Sequence, residues 1–115
     1  MNINISMLAG VSLIIWPLVV PAADQAAGLE LAKRSGCLAC HSIEHKVVGP
    51  AWSEVSRRYQ DDAKARAALI EKVKKGGKGN WSQVTGGVPM PPYSPRVADA
   101  DIETLVDFVL GLSAR

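Results

Sequence analysis

Two cysteines and a histidine occur within five consecutive residues of the chain. Cys37-Leu38-Ala39-Cys40-His41 has the spacing C-x-x-C-H, which is the attachment motif of haem c. Two thiols add across the two haem vinyl groups, the two-residue spacer matches their separation, and the adjacent histidine reaches the iron from the same side. The motif predicts a covalent haem on Cys37 and Cys40, with His41 as one axial ligand of the iron.

The same side chains suit two other chemistries. A redox-active disulfide usually follows a strand of a thioredoxin-like unit, and no strand pattern precedes Cys37. A structural zinc site needs four ligands, and beyond the motif only His45 is a good candidate, at a spacing too compressed for two knuckles. Haem attachment is the preferred interpretation, with the disulfide and zinc as alternatives.

An electron-carrying haem needs a second protein ligand, and Met90 is the best candidate. The other two methionines lie in the first seven residues. Met90 lies in Val88-Pro89-Met90-Pro91-Pro92, where three prolines fix the backbone and hold one side chain in place at low entropic cost. His45 lies four residues after His41, on the segment that leaves the same haem face, and is predicted to be solvated instead.

The N-terminal segment differs sharply from the rest of the chain. The first 23 residues contain no Asp, Glu, Lys or Arg, whereas all 24 formally charged residues follow them. An apolar run from Val11 to Val20, ending in small residues, is typical of a signal peptide. We predict a signal peptide over 1–23, cleaved after Ala22 or Ala23, and one domain over 24–115. The alternative is an uncleaved membrane anchor, because the segment is long enough to span a bilayer.

The composition sets the scale of the domain. A chain of 115 residues supports one small core. Apolar residues make up 48% but aromatic residues only 5%, so a bound cofactor would supply bulk that the side chains lack. The net charge of +2 is spread along the chain rather than gathered in a basic block, which gives no support to nucleic-acid binding.

The first three helices are predicted from propensity and spacing. Asp24–Ser35 has high helix propensity and closes at Gly36, which tolerates the left-handed conformation of a helix end. A short second helix extends from Pro50 to Tyr59. A third begins at Asp61-Asp62, either of which can cap it, and ends at Gly76-Gly77.

The C-terminal third is predicted to be a loop followed by a helix. Asn80–Arg96 carries four prolines and two glycines, which forbid a regular helix and favour a constrained loop around Met90. The last helix has Asp99 as its cap. Its apolar positions follow helical spacing: Ile102, Leu105, Val106, Val109 and Leu110.

The ordered set of motifs resembles the small bacterial class I monohaem cytochromes c, periplasmic electron carriers whose methionine ligand lies in a Pro-Met-Pro-Pro loop. The resemblance covers about Leu31 to Leu112. It rests on Gly36-Cys37-x-x-Cys40-His41, Lys46-Val47-Val48-Gly49-Pro50-Ala51, Gly76 to Trp81, Pro89 to Pro92 and the amphipathic last helix. It implies an all-α class I cytochrome c fold of about four helices wrapped around one covalent haem c, and a periplasmic location.

The resemblance also implies roles for residues outside the motif. Pro50 would offer its carbonyl to the second nitrogen of His41. Trp81 would hydrogen-bond a haem propionate, and Lys72 would lie near the propionate charge. Gly28 and Phe108 would lie where the first and last helices cross.

Three positions depart from the family pattern. Ala32 replaces an aromatic residue of the first helix. Eight residues separate Trp81 from Met90, about four more than in compact members. Tyr93 stands where the family usually has an Asn that orients the methionine sulfur. These departures mark where we expect the chain to differ from its relatives.

The resulting functional prediction is a one-electron shuttle that is not an enzyme. Its partners are redox proteins, a donor dehydrogenase or reductase and an acceptor oxidase or reductase, docked weakly and transiently. Two alternatives are a cytochrome subunit of a periplasmic dehydrogenase, for instance one that oxidises a sulfur compound, and an enzyme or gas binder with an open iron position. Five lysines are predicted to surround the haem edge and guide docking: Lys33, Lys46, Lys74, Lys75 and Lys78.

Overall fold

The computed structural model describes residues 10–16 and 22–114 of the chain. Residues 10–16 have no regular secondary structure and are exposed. The predicted signal peptide falls largely on residues 1–9 and 17–21, which lie outside the described residues, so it stays a prediction. No helix within the described ranges is both long enough and apolar enough to cross a membrane.

The described domain is all-α, which confirms the predicted fold class. Five α-helices and two 3-10 turns follow one another along the chain, in the order α1 Ala22–Arg34, a 3-10 turn Cys37–Ala39, α2 Trp52–Tyr59, α3 Ala65–Lys75, α4 Ser82–Thr85, α5 Asp99–Leu110 and a 3-10 turn Gly111–Ala114. Within the described residues, extended pairing is limited to two isolated bridges, His41 with Lys46 and Gly77 with Met90.

The end of α1 delivers the cysteine motif. Gly36 adopts a left-handed conformation with φ of 85°, which a residue with a Cβ adopts only under strain. The amide of Ser35 donates to the carbonyl of Leu31 at 2.9 Å, and the chain then turns directly into the 3-10 segment that begins at Cys37. The glycine stop predicted from the sequence therefore sets where the first thiol lies.

Two predicted helix caps are wrong. Ala98, not Asp99, is the N-cap of α5, because the helix begins with Asp99 itself. That carboxylate still lies in the first turn and forms an ion pair with Lys74 at 3.5 Å. Lys64 is the N-cap of α3, while Asp62 accepts a hydrogen bond from the Lys64 amide at 2.9 Å in the preceding turn. Asp62 thus lies two residues before the N-cap of α3, and Asp99 one residue after the N-cap of α5.

The loop predicted over residues 80–96 contains one turn of helix. α4 occupies four residues between Trp81 and Gly86, ahead of the first proline. It ends at Gly86, which adopts a left-handed conformation with φ of 64°. The Gly86 amide donates a hydrogen bond to the Ser82 carbonyl. This short helix thus lies within the segment between Trp81 and Met90, while the proline-rich part of the segment stays irregular as predicted.

The last helix organises the core. α5 packs against α1, α2 and α3, and its Ile102 is fully buried. α1 and α5 cross where Gly28 meets Phe108, and a Cβ built on Gly28 would lie 2.5 Å from the Phe108 ring. The crossing implied by the family resemblance is therefore present, with a glycine allowing the close approach.

Replacing Gly28 with Ala is expected to lower the free energy of unfolding by about 1 kcal/mol, because overpacking a core costs about 1–3 kcal/mol and the gain in helix propensity returns at most roughly 1 kcal/mol. Denaturant unfolding of the haem-loaded protein measures the change. Gly111→Ala is the matched control: no atom lies within 4 Å of its added Cβ. It is expected to be neutral or stabilising. Equal effects at both glycines would contradict the proposed clash.

Candidate haem site

A cavity of about 340 Å³ lies among the segment after α1, helices α2, α3 and α5, and the loop that carries Met90. Its walls include aliphatic side chains from three helices: Val55, Ala65, Leu69, Val73, Leu105, Val106 and Val109. Every site residue predicted from the sequence lines this cavity: Cys37, Cys40, His41, Pro50, Lys72, Trp81 and Met90. The fold thus brings predicted site residues that are up to 53 positions apart in sequence, Cys37 and Met90, to one apolar cavity.

The two thiols and the imidazole are presented by a single tight turn. The amides of Cys40 and His41 both donate to the Cys37 carbonyl, at 3.2 and 3.0 Å. The cysteines are not bonded to each other. Burial raises the pKa of the Cys37 thiol, whereas redox-active cysteines have a lowered pKa. The site therefore does not favour the disulfide alternative.

The imidazole of His41 is oriented by its neighbours. Its Nδ1 lies 2.8 Å from the carbonyl oxygen of Pro50, and because a carbonyl only accepts hydrogen bonds, Nδ1 carries the proton and Nε2 keeps a free lone pair. A Cβ on Gly49 would lie 2.5 Å from Cε1 of the ring. Burial lowers the pKa of His41, so the imidazole is neutral at pH 7, as a metal ligand must be.

Trp52 completes the surroundings of this imidazole. Its ring stacks on His41 with centroids 5.5 Å apart and an angle of 19° between the planes. The sequence includes Trp52 in the predicted second helix, Pro50 to Tyr59, and does not assign it to the site. Its position two residues after Pro50, whose carbonyl the resemblance already tied to His41, was the available signal.

Met90 is held by backbone contacts to the end of α3. Its amide donates to the carbonyl of Gly77 at 3.0 Å, and the Gly77 amide donates back to the Met90 carbonyl at 2.9 Å. Gly76 has φ of 70°, and a Cβ there would clash with the backbone oxygen of Met90. Two adjacent glycines therefore let the proline-rich loop pass close enough to be fixed by this pair of hydrogen bonds.

Trp81 and Lys72 also line the cavity. Trp81 is half-buried, with the guanidinium of Arg58 4.4 Å above its ring and Tyr59 edge-on at 6.4 Å. The Lys72 ammonium lies 3.5 Å from the carbonyl of Gly76. An indole N–H and an ammonium are donors that suit a carboxylate group such as a propionate.

Tyr93 and His45 differ in their relation to the cavity. Tyr93 lines the cavity and is buried, and its amide donates to the Val73 carbonyl at 3.0 Å. Arg96 lies 4.8 Å above its ring. Burial raises the pKa of Tyr93, so the phenol is neutral. His45 is exposed and is not part of the cavity wall, in line with a solvated histidine.

The donor set fits a haem better than a metal ion alone. Within the described residues, no group of three or more His, Cys, Asp or Glu side chains is placed to hold a metal ion, which argues against the zinc alternative. Two thiols, a neutral imidazole and a thioether around an apolar cavity match the attachment and axial ligation of haem c. The fold and the cavity thus define a small helical haem-binding protein.

The comparisons with known proteins agree with that class. The sequence family described as cytochrome c matches residues 25–113. The chain is 50% identical to cytochrome c-551 of Allochromatium vinosum over 86 residues, covering 75% of this chain and 86% of that protein. It is 44% identical to cytochrome c2 of Rhodocyclus tenuis over 91 residues, covering 78% and 94% respectively. The crystal structure of Nitrosomonas europaea cytochrome c552 matches with a TM-score of 0.65 and 43% identity, covering 73% of this chain and 98% of that chain.

The chain therefore belongs to the cytochrome c family, and its similarity to cytochromes c-551, c-552 and c2 identifies it as a small class I monohaem cytochrome. It carries one covalently attached haem c. It is an electron carrier and not an enzyme. Redox proteins are its partners.

Proposed function

We propose that Cys37 and Cys40 hold the haem through thioether bonds, and that His41 and Met90 are the two axial ligands of its iron. The observation that carries the proposal is that these four side chains, supplied by two distant segments, line one cavity. The haem supplies a one-electron redox couple. The chain supplies both axial ligands, which leaves no coordination position for a substrate.

The remaining polar residues have supporting roles. The Pro50 carbonyl fixes the His41 tautomer and makes the imidazole a better electron donor to the iron. Trp81 donates its indole N–H to a haem propionate, with Arg58 holding the ring from its outer side. Lys72 places a positive charge on the cavity wall. These contacts would fix the haem orientation and shield the propionate charge.

Two measurements test this assignment. The ferric protein should show a thioether-to-iron charge-transfer band and a low-spin spectrum, and the ferrous protein should bind carbon monoxide poorly. Ready binding of carbon monoxide by the native protein would refute the closed site.

Mass spectrometry of the exported protein should show one covalent haem and the loss of residues up to Ala22 or Ala23. An intact leader would instead support a membrane-anchored carrier.

The proposed location is the periplasm, where the protein would carry electrons between periplasmic or membrane-bound redox proteins of a respiratory chain. The charge-free first 23 residues support export. A donor dehydrogenase or reductase would reduce the haem, and an acceptor oxidase or reductase would oxidise it. One electron enters and one leaves in each cycle, and no covalent bond of a substrate changes.

Docking is proposed to use apolar contacts at the cavity edge, assisted by lysines. Val48 and Val88 line the cavity yet are 39% and 51% exposed. Of the five predicted docking lysines, Lys74 and Lys75 form ion pairs with Asp99 at 3.5 Å and Glu71 at 3.0 Å. The other three are exposed: Lys33, Lys46 and Lys78. A small apolar contact with a cationic rim suits fast, weak association.

The double variant Val48→Ser, Val88→Ser is expected to slow electron self-exchange between ferric and ferrous copies about threefold to tenfold, because the contact loses apolar area. Self-exchange uses the haem edge without requiring a known partner, and NMR line broadening in mixtures of the two oxidation states measures it. Because both valines line the cavity, the reduction potential is measured alongside, and the self-exchange rates are compared at matched driving force.

Ala67→Ser is the control for this prediction. Ala67 is exposed on α3 and does not line the cavity. The Ala67→Ser variant should therefore have the self-exchange rate of the native protein. A native rate in the double variant would show that these valines do not form the contact. Electron transfer to redox partners that is independent of ionic strength would argue against a role for the lysines.

A further inference from the structure

The indole of Trp52 lies face to face with the imidazole of His41. The centroids are 5.5 Å apart and the planes are inclined by only 19°. Trp52 lines the same cavity and is 6% exposed. A large aromatic face therefore covers the side chain that we propose as an axial ligand.

The position of the indole is itself fixed from two sides. Phe108 meets it edge-on, at 5.8 Å and 84°, and Phe108 is packed against Gly28 of α1. The backbone of Trp52 is held as well, because its amide donates to the carbonyl of Ser42 at 2.9 Å. Ser42 directly follows the proposed ligand His41. The helix crossing and the haem-binding segment together hold the indole in place.

The stack restrains the plane of the imidazole ring, which the hydrogen bond alone does not. The bond to the Pro50 carbonyl fixes one ring atom, Nδ1. A parallel aromatic neighbour opposes rotation of the ring out of its plane, because such rotation would push ring atoms into the indole. The missing Cβ of Gly49 opens the space in which this orientation fits.

The indole face also has an electrostatic effect. The faces of aromatic rings carry negative potential, and a positive group within about 6 Å of a ring centroid is attracted to it, most strongly for Trp. The imidazole ligand would carry more positive charge when the iron is ferric than when it is ferrous. The stacked indole therefore stabilises the oxidised state more than the reduced state.

We propose that Trp52 is a positioning residue of the haem site: its indole face fixes the plane of the His41 imidazole and favours the ferric form. The inference rests on the proposed ligation of the iron by His41. It adds a residue that orients this ligand and lowers the reduction potential.

The test compares Trp52→Leu and Trp52→Phe with the native haem-loaded protein. Trp52→Leu removes the aromatic face and is expected to raise the reduction potential measured by voltammetry. It should also change the pattern of haem methyl shifts in the NMR spectrum of the ferric protein, which reports the orientation of the axial imidazole plane. Trp52→Phe keeps a smaller ring and should show smaller changes in the same direction.

Ile102→Ala is the control for loss of core packing. Ile102 is fully buried in the same core but does not line the cavity. This variant should unfold at lower denaturant concentration while keeping the native potential and methyl pattern. If Ile102→Ala shifts both as far as the Trp52 variants do, the effect is general to the core and the inference is overturned.

Unchanged potential and methyl shifts in both Trp52 variants would also overturn the inference. If Trp52→Leu does not load haem, Trp52→Phe alone decides between these outcomes. Failure of the underlying assignment has a different signature: the native protein itself would lack the low-spin spectrum of an iron with histidine and thioether ligands. The spectrum of the native protein therefore separates the two failures before any variant is made.

Discussion

Replacing Met90 with Ala is expected to abolish the thioether-to-iron charge-transfer band of the ferric protein and to open one coordination position. The ferrous variant should then bind carbon monoxide readily. Its reduction potential should fall, because a thioether ligand raises the potential of a haem, and axial ligands set potentials over a range of about 0.8 V. Absorption spectra of both oxidation states and voltammetry measure these changes.

The change at Met90 should remain local. The two hydrogen bonds to Gly77 are made by backbone atoms, so they persist when the side chain is shortened. The control is His45→Ala, which removes the other candidate ligand from an exposed position and should leave the band and the potential unchanged. Persistence of the band in Met90→Ala, or its loss in His45→Ala, would contradict the proposed axial pair.

The proposed ligands follow from the sequence because the residue types and spacing that haem chemistry requires occur in short, local motifs. Cys37, Cys40 and His41 have a spacing imposed by the haem, and Met90 lies among prolines that restrict the backbone before any tertiary contact forms. The helices followed from apolar spacing and glycine stops for the same local reason. α1 ends at Arg34, one residue before the predicted end, and Gly36 adopts the left-handed conformation that glycine permits.

What the sequence missed depends on contacts between distant segments. The stack of Trp52 on His41 requires α2 to lie against the haem-binding segment, whereas the sequence predicts only the helix that contains Trp52. The caps failed because Asp62 and Asp99 find partners elsewhere, the amide of Lys64 and the ammonium of Lys74. A residue that can cap a helix can equally serve the turn beside it, and the choice is made by tertiary structure.

The double variant Cys37→Ala, Cys40→Ala is expected to lose its haem and to be largely unfolded. The cavity of about 340 Å³ is lined by α2, α3, α5 and the Met90 loop, so a haem bound there would be the surface against which these elements pack. A closed cavity of this volume in a core would cost about 8 kcal/mol at roughly 24 cal/mol per Å³, and because this one is partly open to solvent the figure is an upper bound. Native domains are stable by only about 5–15 kcal/mol.

The cost is hard to recover elsewhere, because few large side chains are available to close the space. Aromatic residues make up 5% of the chain, with a single Phe, and Trp52 and Tyr93 are already buried around the cavity.

Circular dichroism and thermal melting of the purified double variant measure the outcome. We expect weak helical signal and no cooperative transition, whereas the native protein should melt cooperatively. Leu38→Ala is the matched control, since Leu38 lies between the two cysteines and is 38% exposed; it keeps both thiols and should load haem fully. A double variant that stays helical and melts cooperatively without haem would show that the side chains alone form a sufficient core.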